Sequence, residues 1–225
     1  MFVTNYPAMK IGPHLVIADL HLGITRELYE RGVRLPSQVQ HLAKKLNMLG
    51  RETGTTTLVV AGDFKHKVPG ISMQEMREIP EFLSLLEFDR IVVVKGNHDG
   101  AIEKLISDKK VVVRQSFAAG RYLFTHGHRN VQTKKKRVAI GHNHPHVKFV
   151  DAIGASYFQP CWVIGKAKRH TVVMIPAFNE LCGAGVVNGS DGFLGPVAKH
   201  IDRKTARVYM LDGTYLGRIQ DIMVK

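Results

Sequence analysis

Residues 14–21 read HLVIADLH, an apolar run that stops on an acid and an imidazole. Leu15, Val16, Ile17 and Ala18 suit a buried strand, so Asp19 and His21 fall at its C-terminal end, just before a helical pattern over about 23–31. The same phrase recurs along the chain. TLVVAGD (57–63) ends on Gly62 and Asp63, and IVVVKGNHD (91–99) ends on Gly96, Asn97, His98 and Asp99. YLFTHGH (122–128) ends on His126, Gly127 and His128, and VAIGHNH (138–144) on Gly141, His142, Asn143 and His144. Five strands thus deliver carboxylate, amide or imidazole groups at their C-terminal ends, the edge where open α/β sheets place their ligands.

Between these strands the apolar period changes to that of a helix. A helix is predicted from Ser37, where Val39, Leu42, Ala43, Leu46 and Leu49 share one face. Ser72 and Glu75 are spaced as a capping box, and Pro80 is read as restarting a helix through Phe82, Leu83, Leu85 and Leu86. A short helix is expected near 100–107 and a strand at 111–113. Further strands are expected at 147–150, 161–164, 171–175 and 207–211, with a Gly-, Asn- and Pro-rich loop region over 176–198. Strand–helix alternation followed by strands predicts a layered α/β (α+β) sandwich. The chain is read as one domain, 1–225, with a motif-bearing core at about 10–150 and a β-rich part at about 151–225.

The donor types select a chemistry. Carboxylate, imidazole and amide oxygen suit divalent ions of intermediate hardness. Neither Cys161 nor Cys182 lies near the motifs in sequence, which speaks against a Cys-rich zinc site, and both are read as small buried hydrophobes. Seven candidate ligands (Asp19, His21, Asp63, Asn97, His126, His142 and His144) are too many for one ion and suit two that share a carboxylate.

The ordered set Asp19-x-His21, Gly62-Asp63-x-x-His66, Gly96-Asn97-His98-Asp99, His126-Gly127-His128 and Gly141-His142-x-His144 resembles the calcineurin-like metallophosphoesterases. In ADLHLG, GDFKH and GHNHP the form is closer to archaeal phosphoesterases related to double-strand-break repair exonucleases and to ligase-associated DNA damage response endonucleases. PAFN at 176–179 is similar in flavour to the same subgroup. The resemblance implies a four-layer α/β/β/α sandwich of two mixed sheets flanked by helices. It implies that Asp19, His21, Asp63 and His144 hold a first ion, and that Asp63 bridges to a second held with Asn97, His126 and His142. Mn²⁺ is the first expectation, with Fe, Zn²⁺, Ni²⁺ or Co²⁺ as alternatives. His98 would be the catalytic imidazole, Asp99 its orienting partner, and His66 and His128 supports or substrate contacts.

The implied reaction is direct hydrolysis of a phosphodiester by hydroxide generated between the two ions, with no protein nucleophile. The substrate expectation is DNA or RNA; the alternatives are a small phosphodiester, a phosphomonoester, or a non-catalytic binding module on the same fold. Charge leans toward nucleic acid, since 32 Lys plus Arg against 19 Asp plus Glu leave +13. The run Lys134-Lys135-Lys136-Arg137 is either a solvated surface or a contact to phosphates. His14, His41, His146, His170 and His200 belong to no motif. No apolar stretch approaches the roughly 20 residues that span a bilayer, and no signal-like N-terminus is seen. A cytoplasmic protein without a membrane partner is expected, of unspecified oligomeric state.

Overall fold

The computed structural model describes residues 1–224. Its first sheet is built from β1 (Met9–Ile11), β2 (His14–Ile17), β3 (Thr57–Ala61), β4 (Arg90–Val94) and β5 (Val111–Arg114), in that order. Strands β2 to β5 run parallel and β1 antiparallel at the edge. The connections carry α1 (Ile24–Glu30), α2 (Val39–Thr53) and α3 (Met73–Leu85). The second sheet contains β6 (Phe117–Ala119), β7 (Tyr122–Thr125), β8 (Arg137–Ile140), β9 (Pro145–Val150), β10 (Ser156–Ala167), β11 (His170–Met174) and β12 (Gly185–Val186). Its order is β12-β9-β10-β11-β8-β7-β6, and β13 (Arg207–Met210) joins β10 and pairs in turn with β14 (Tyr215–Arg218).

Alternation along the strands sorts the core into layers. Leu58, Val60, Ile91 and Val93 pack with Leu42, Leu46, Ile79 and Phe82 of α2 and α3. Their neighbours Val59, Ala61, Val92 and Val94 join Phe124, Ala139, Trp162 and Val173 of the second sheet. These strands are buried on both faces, which is why they read as unbroken apolar runs. Each fully buried Val, Leu or Phe contributes about 1.5–3 kcal/mol. On the far side, Val138, Ile140, Val163 and Val172 are covered by Ala198, Ile201, Ala206 and Ile219. Two mixed sheets lie between helices as expected, with the outer cover reduced to the four-residue α4 (Gly195–Ala198) and adjoining loops.

Three local readings change. Pro80 does not restart a helix: α3 runs unbroken through it from the Ser72–Glu75 capping box. Burial of Ile79, Phe82 and Leu83 along one face outweighs the one lost hydrogen bond, and Met76, whose carbonyl loses its partner, is exposed. The strand expected at 161–164 extends over Ser156–Ala167. Pro160 is tolerated because the strand there is changing partners, from β9 before it to β13 after it. The loop region at 176–198 contains β12 and α4. Among the described residues, no helix is long and apolar enough to cross a membrane.

Candidate active site

The five strand ends meet in one cluster. Asp19, His21, Asp63, His142 and His144 all adopt positive φ, of 56°, 44°, 48°, 70° and 40°. Each such residue costs on the order of 1–3 kcal/mol, so the surroundings must over-determine it. Backbone bonds between the turns do so. The Asp19 N–H donates to the Gly62 carbonyl at 3.1 Å, and the His21 N–H to the Asp63 carbonyl at 2.9 Å. The side chains are tied to neighbouring turns as well: Asp63 Oδ1 accepts the His98 N–H at 2.9 Å, and the Asp19 carboxylate accepts the His142 N–H at 3.2 Å.

Donor atoms converge on two points that share Asp63. Around one, His126 Nε2 stands 3.1 Å from Asp63 Oδ2 and 2.9 Å from Asn97 Oδ1, with the His142 ring 4.8 Å from that of His126. Around the other, His21 Nε2 lies 3.6 Å from Asp63 Oδ2 and 3.4 Å from His144 Nε2, and His144 Nε2 lies 3.6 Å from Asp19 Oδ1. Asp19, His21 and Asp63 form one ligand-capable triplet, and Asp63, His126 and His142 another. Imidazole lone pairs aimed at one another and at carboxylates repel unless a proton or cation lies between them, so the donor set fits divalent ions.

Two glycines make this convergence possible. A Cβ on Gly62 would stand 2.2 Å from His126 Nδ1, and one on Gly96 2.0 Å from Asp63 Oδ1.

The electrostatics follow from burial. Burial pulls the His126 imidazole down, but its hydrogen bond to Asp63 and the charges of Asp19 and Asp63 outweigh this and raise it to about 8. Burial opposes ionisation of Asp63, yet the His126 hydrogen bond and the charges of His126 and His21 hold its carboxyl well below the usual range. His21, with burial dominating, is lowered to about 3.

The site residues inferred from sequence divide in their surroundings. His98 sits beside the cluster, with Nε2 3.9 Å from Asp63 Oδ2, and its Nδ1 contacts the carbonyl oxygen of His66. Asp99 does not orient that ring. Its carboxylate accepts the N–H groups of Gly96 at 2.8 Å and Lys65 at 3.1 Å, binding the two loops together. Burial pushes it up to about 6. His66 supports the cluster: its Nδ1 is 3.2 Å from His21 Nδ1 and its Nε2 2.6 Å from Glu27 Oε2. The His128 ring lies 5.3 Å from that of His126, and its buried Nδ1 has no partner among the described residues. Burial, then the charge of His126, lowers it to about 4.

Other contributors come from outside the motifs. Glu27, on α1, completes the chain Glu27–His66–His21; its only sequence signal was a carboxylate in the first turn of the helix after the first motif. Cys182, far from the motifs in sequence, groups in space with His21 and His144, and burial pushes its thiol up. Only the fold reveals this, because the 176–185 segment returns to the site. There the Phe178 N–H reaches the Ala18 carbonyl at 2.9 Å, and Asn179 Nδ2 the Leu20 carbonyl at 2.8 Å. Glu75 accepts the N–H groups of His66 at 2.9 Å and Lys67 at 2.6 Å, and so fixes the loop that carries the His66 carbonyl. Beside His98 opens a cavity of about 460 Å³, lined in part by Arg26, Lys67 and Arg77.

Residues 12–173 match the profile of the calcineurin-like phosphoesterase family. Among solved structures, a nuclease MPE from Pseudomonas putida is similar at 22% identity and a TM-score of 0.53, covering 89% of this chain and 85% of that one. An archaeal phosphodiesterase is similar at 16% identity and a TM-score of 0.38, covering 72% and 82%. Yfce, a phosphoesterase from E. coli, is similar at 13% and 0.43, covering 91% and 97%. No curated protein sequence matches significantly.

Proposed function

Because the chain belongs to the calcineurin-like phosphoesterase family, and with it is a phosphate-ester hydrolase, we propose that it cleaves phosphodiester bonds at a two-ion site. Asp19, His21, Asp63 and His144 hold one divalent ion, and Asp63, Asn97, His126 and His142 a second, with Mn²⁺ the first candidate. The observation that carries this reading is the membership of Asp63 in both ligand-capable triplets. When bound, such a pair of ions acidifies a water for attack on phosphorus and offsets the charge that grows on the phosphoryl oxygens.

The chain's own groups supply the rest. The His66 carbonyl only accepts, so the Nδ1 it contacts carries a proton. A second proton on His98 then resides on Nε2, the nitrogen nearest Asp63. From there it passes to the leaving oxygen, a general-acid step of the kind worth about 10²–10⁴ in rate. Glu75 and Lys65 hold the loop that orients this ring: Glu75 through the His66 and Lys67 N–H groups, and Lys65 by donating Nζ to the Gly70 carbonyl at 2.8 Å.

Nucleic acid is the substrate we favour. The +13 balance supports it, because a surface of that sign attracts polyanions. One solved structure that shares the fold, from Pseudomonas putida, is described as a nuclease, which is in keeping with that choice. The cavity beside His98 favours a second reading, a small phosphodiester whose leaving group it would receive. A panel of single- and double-stranded DNA, RNA, 2′,3′-cyclic nucleotides and monoesters, each with Mn²⁺ and with chelator, tests both. Cleavage of polynucleotides only with Mn²⁺ is the expected result. Turnover confined to monoesters, or undiminished by chelator, overturns the proposal.

A further inference from the structure

The basic run 134–137 borders a cleft that the hydrolytic chemistry leaves unused. This cleft of about 360 Å³ lies between the loop after β7, the β10–β11 turn and α4. Val131, Val138, Val172 and Val197 give it an apolar lining, Lys168 and Arg169 a cationic one, and His170 and His200 add imidazoles; no carboxylate lines it among the described residues. A slight loss of solvent, then the charges of Lys168 and Lys199, hold the His200 imidazole below its ordinary range, so this ring is neutral near pH 7. The basic run is stitched to the turn. Arg169 Nη2 donates to the Thr133 carbonyl at 3.2 Å, His170 Nδ1 stands 3.0 Å from the Lys135 carbonyl oxygen, and the Thr171 N–H donates to the Lys136 carbonyl at 2.8 Å. Among the described residues Lys134, Lys135, Lys136, Lys168, Arg169 and Lys199 form no salt bridge, so no carboxylate offsets their charge around the cleft.

The cleft begins beside the strand-end cluster on both of its walls. Asn130, which lines it, follows His128 by two residues. Pro196, which also lines it, follows Gly195, whose backbone packs so tightly that a Cβ would stand 2.5 Å from the Gly127 carbonyl oxygen and 3.3 Å from His142 Cδ2. A ligand here would match an apolar body to the valines and negative charge to Lys168 and Arg169. Polynucleotides combine both, and their phosphates are neutralised by Lys and Arg with release of counterions. Bases held in a duplex stack cannot enter such a pocket, whereas unpaired bases can be splayed out into it.

We propose that this cleft binds unpaired nucleic acid on its way to or from the hydrolytic site, a base lying on the valines and the backbone against Lys168, Arg169 and the 134–136 run. The proposal rests on the phosphodiesterase reading above.

The test measures fluorescence anisotropy of labelled oligothymidylate and of a duplex of equal length, with the full chain in EDTA to stop cleavage. Salt is varied from 50 to 200 mM. Lys168→Gln combined with Arg169→Gln is expected to weaken oligothymidylate binding about tenfold and to lower the salt slope by about 1.4, roughly 0.7 per lost contact. Lys134→Gln with Lys136→Gln, at exposed positions that do not support the fold, is expected to shift the slope in the same direction. Duplex affinity should change much less. Unchanged oligothymidylate affinity in both double variants overturns the proposal, as does equal weakening for duplex, which would indicate a general polyanion surface. Hydrolysis of bis(p-nitrophenyl) phosphate by the unaltered chain, assayed separately with Mn²⁺, reports on the phosphodiesterase reading itself.

Discussion

His126 Nε2 stands 3.1 Å from Asp63 Oδ2, an imidazole–carboxylate pair almost wholly withdrawn from solvent and lying where the two ligand triplets meet. Asp63 raises His126 to about 8 against the pull of burial. An ion that takes this nitrogen must first displace its proton. Below pH 8 apparent metal affinity should therefore fall, by about tenfold per pH unit for one proton, and above it should level off. Calorimetric titration with Mn²⁺ at pH 6.5 and 8.5, in buffers of different ionisation enthalpy, should detect release of about one proton at the lower pH and less at the higher. Equal affinity and no proton release at both pH values would contradict this.

The same pair links stability of the metal-free chain to pH. A histidine raised on folding contributes stability that is fully present below its unfolded value, about 6.5, and is lost as pH rises through about 8. In chelator, the contribution of this pair to Tm should therefore decline between pH 6.5 and 8.5. The comparison is with His126→Gln, whose Tm should change less across that window; parallel curves would count against the coupling.

His98→Ala should keep its ions and lose turnover in proportion to how badly the leaving group needs a proton. We expect a loss of about 10²-fold or more on diesters with poor leaving groups and a smaller loss on p-nitrophenyl diesters. A leaving-group series measured for both proteins checks this. A loss independent of leaving-group basicity would remove His98 from the acid role.

Gly62→Ala places a methyl 2.2 Å from the His126 ring at a φ of 97°, where an L side chain is already strained. The ring must shift or the turn must open, at a cost of about 1–3 kcal/mol. Lower Tm together with reduced metal content is expected. Retention of full metal content and activity would show that the turn is looser than the packing indicates.

Glu27→Gln replaces the carboxylate that faces His66 Nε2 at 2.6 Å. His66 stands behind the candidate ligand His21, where partners commonly carry 10–100-fold in metal affinity or activity; Glu27, one step further out and half-exposed, is expected to carry about tenfold or less. Unchanged Mn²⁺ affinity and kcat would leave Glu27 as a surface ion pair with Arg31.

Most of the strand-end cluster was legible in the sequence because each member sits at the end of an apolar strand. Strand direction and parallel pairing then bring those ends to one edge. What escaped depends on side-chain direction and on returns of the chain. Asp99 is next to His98 in sequence, yet its carboxylate turns to the Gly96 and Lys65 N–H groups. Glu27 and Cys182 reach the site through the packing of α1 and of the 176–185 segment, which no local pattern announces. Pro80 and Pro160 read as breaks, and tertiary contacts carried the helix and the strand through both.

The most direct test of the two-ion account is metal content by mass spectrometry, measured on the chain loaded with Mn²⁺ and freed of excess ion, beside Asp63→Asn. Close to two ions per chain are expected, falling to one or none in the variant, with loss of phosphodiester hydrolysis. A fully active chain holding a single ion, or an Asp63→Asn variant that keeps both ions and its turnover, would contradict it.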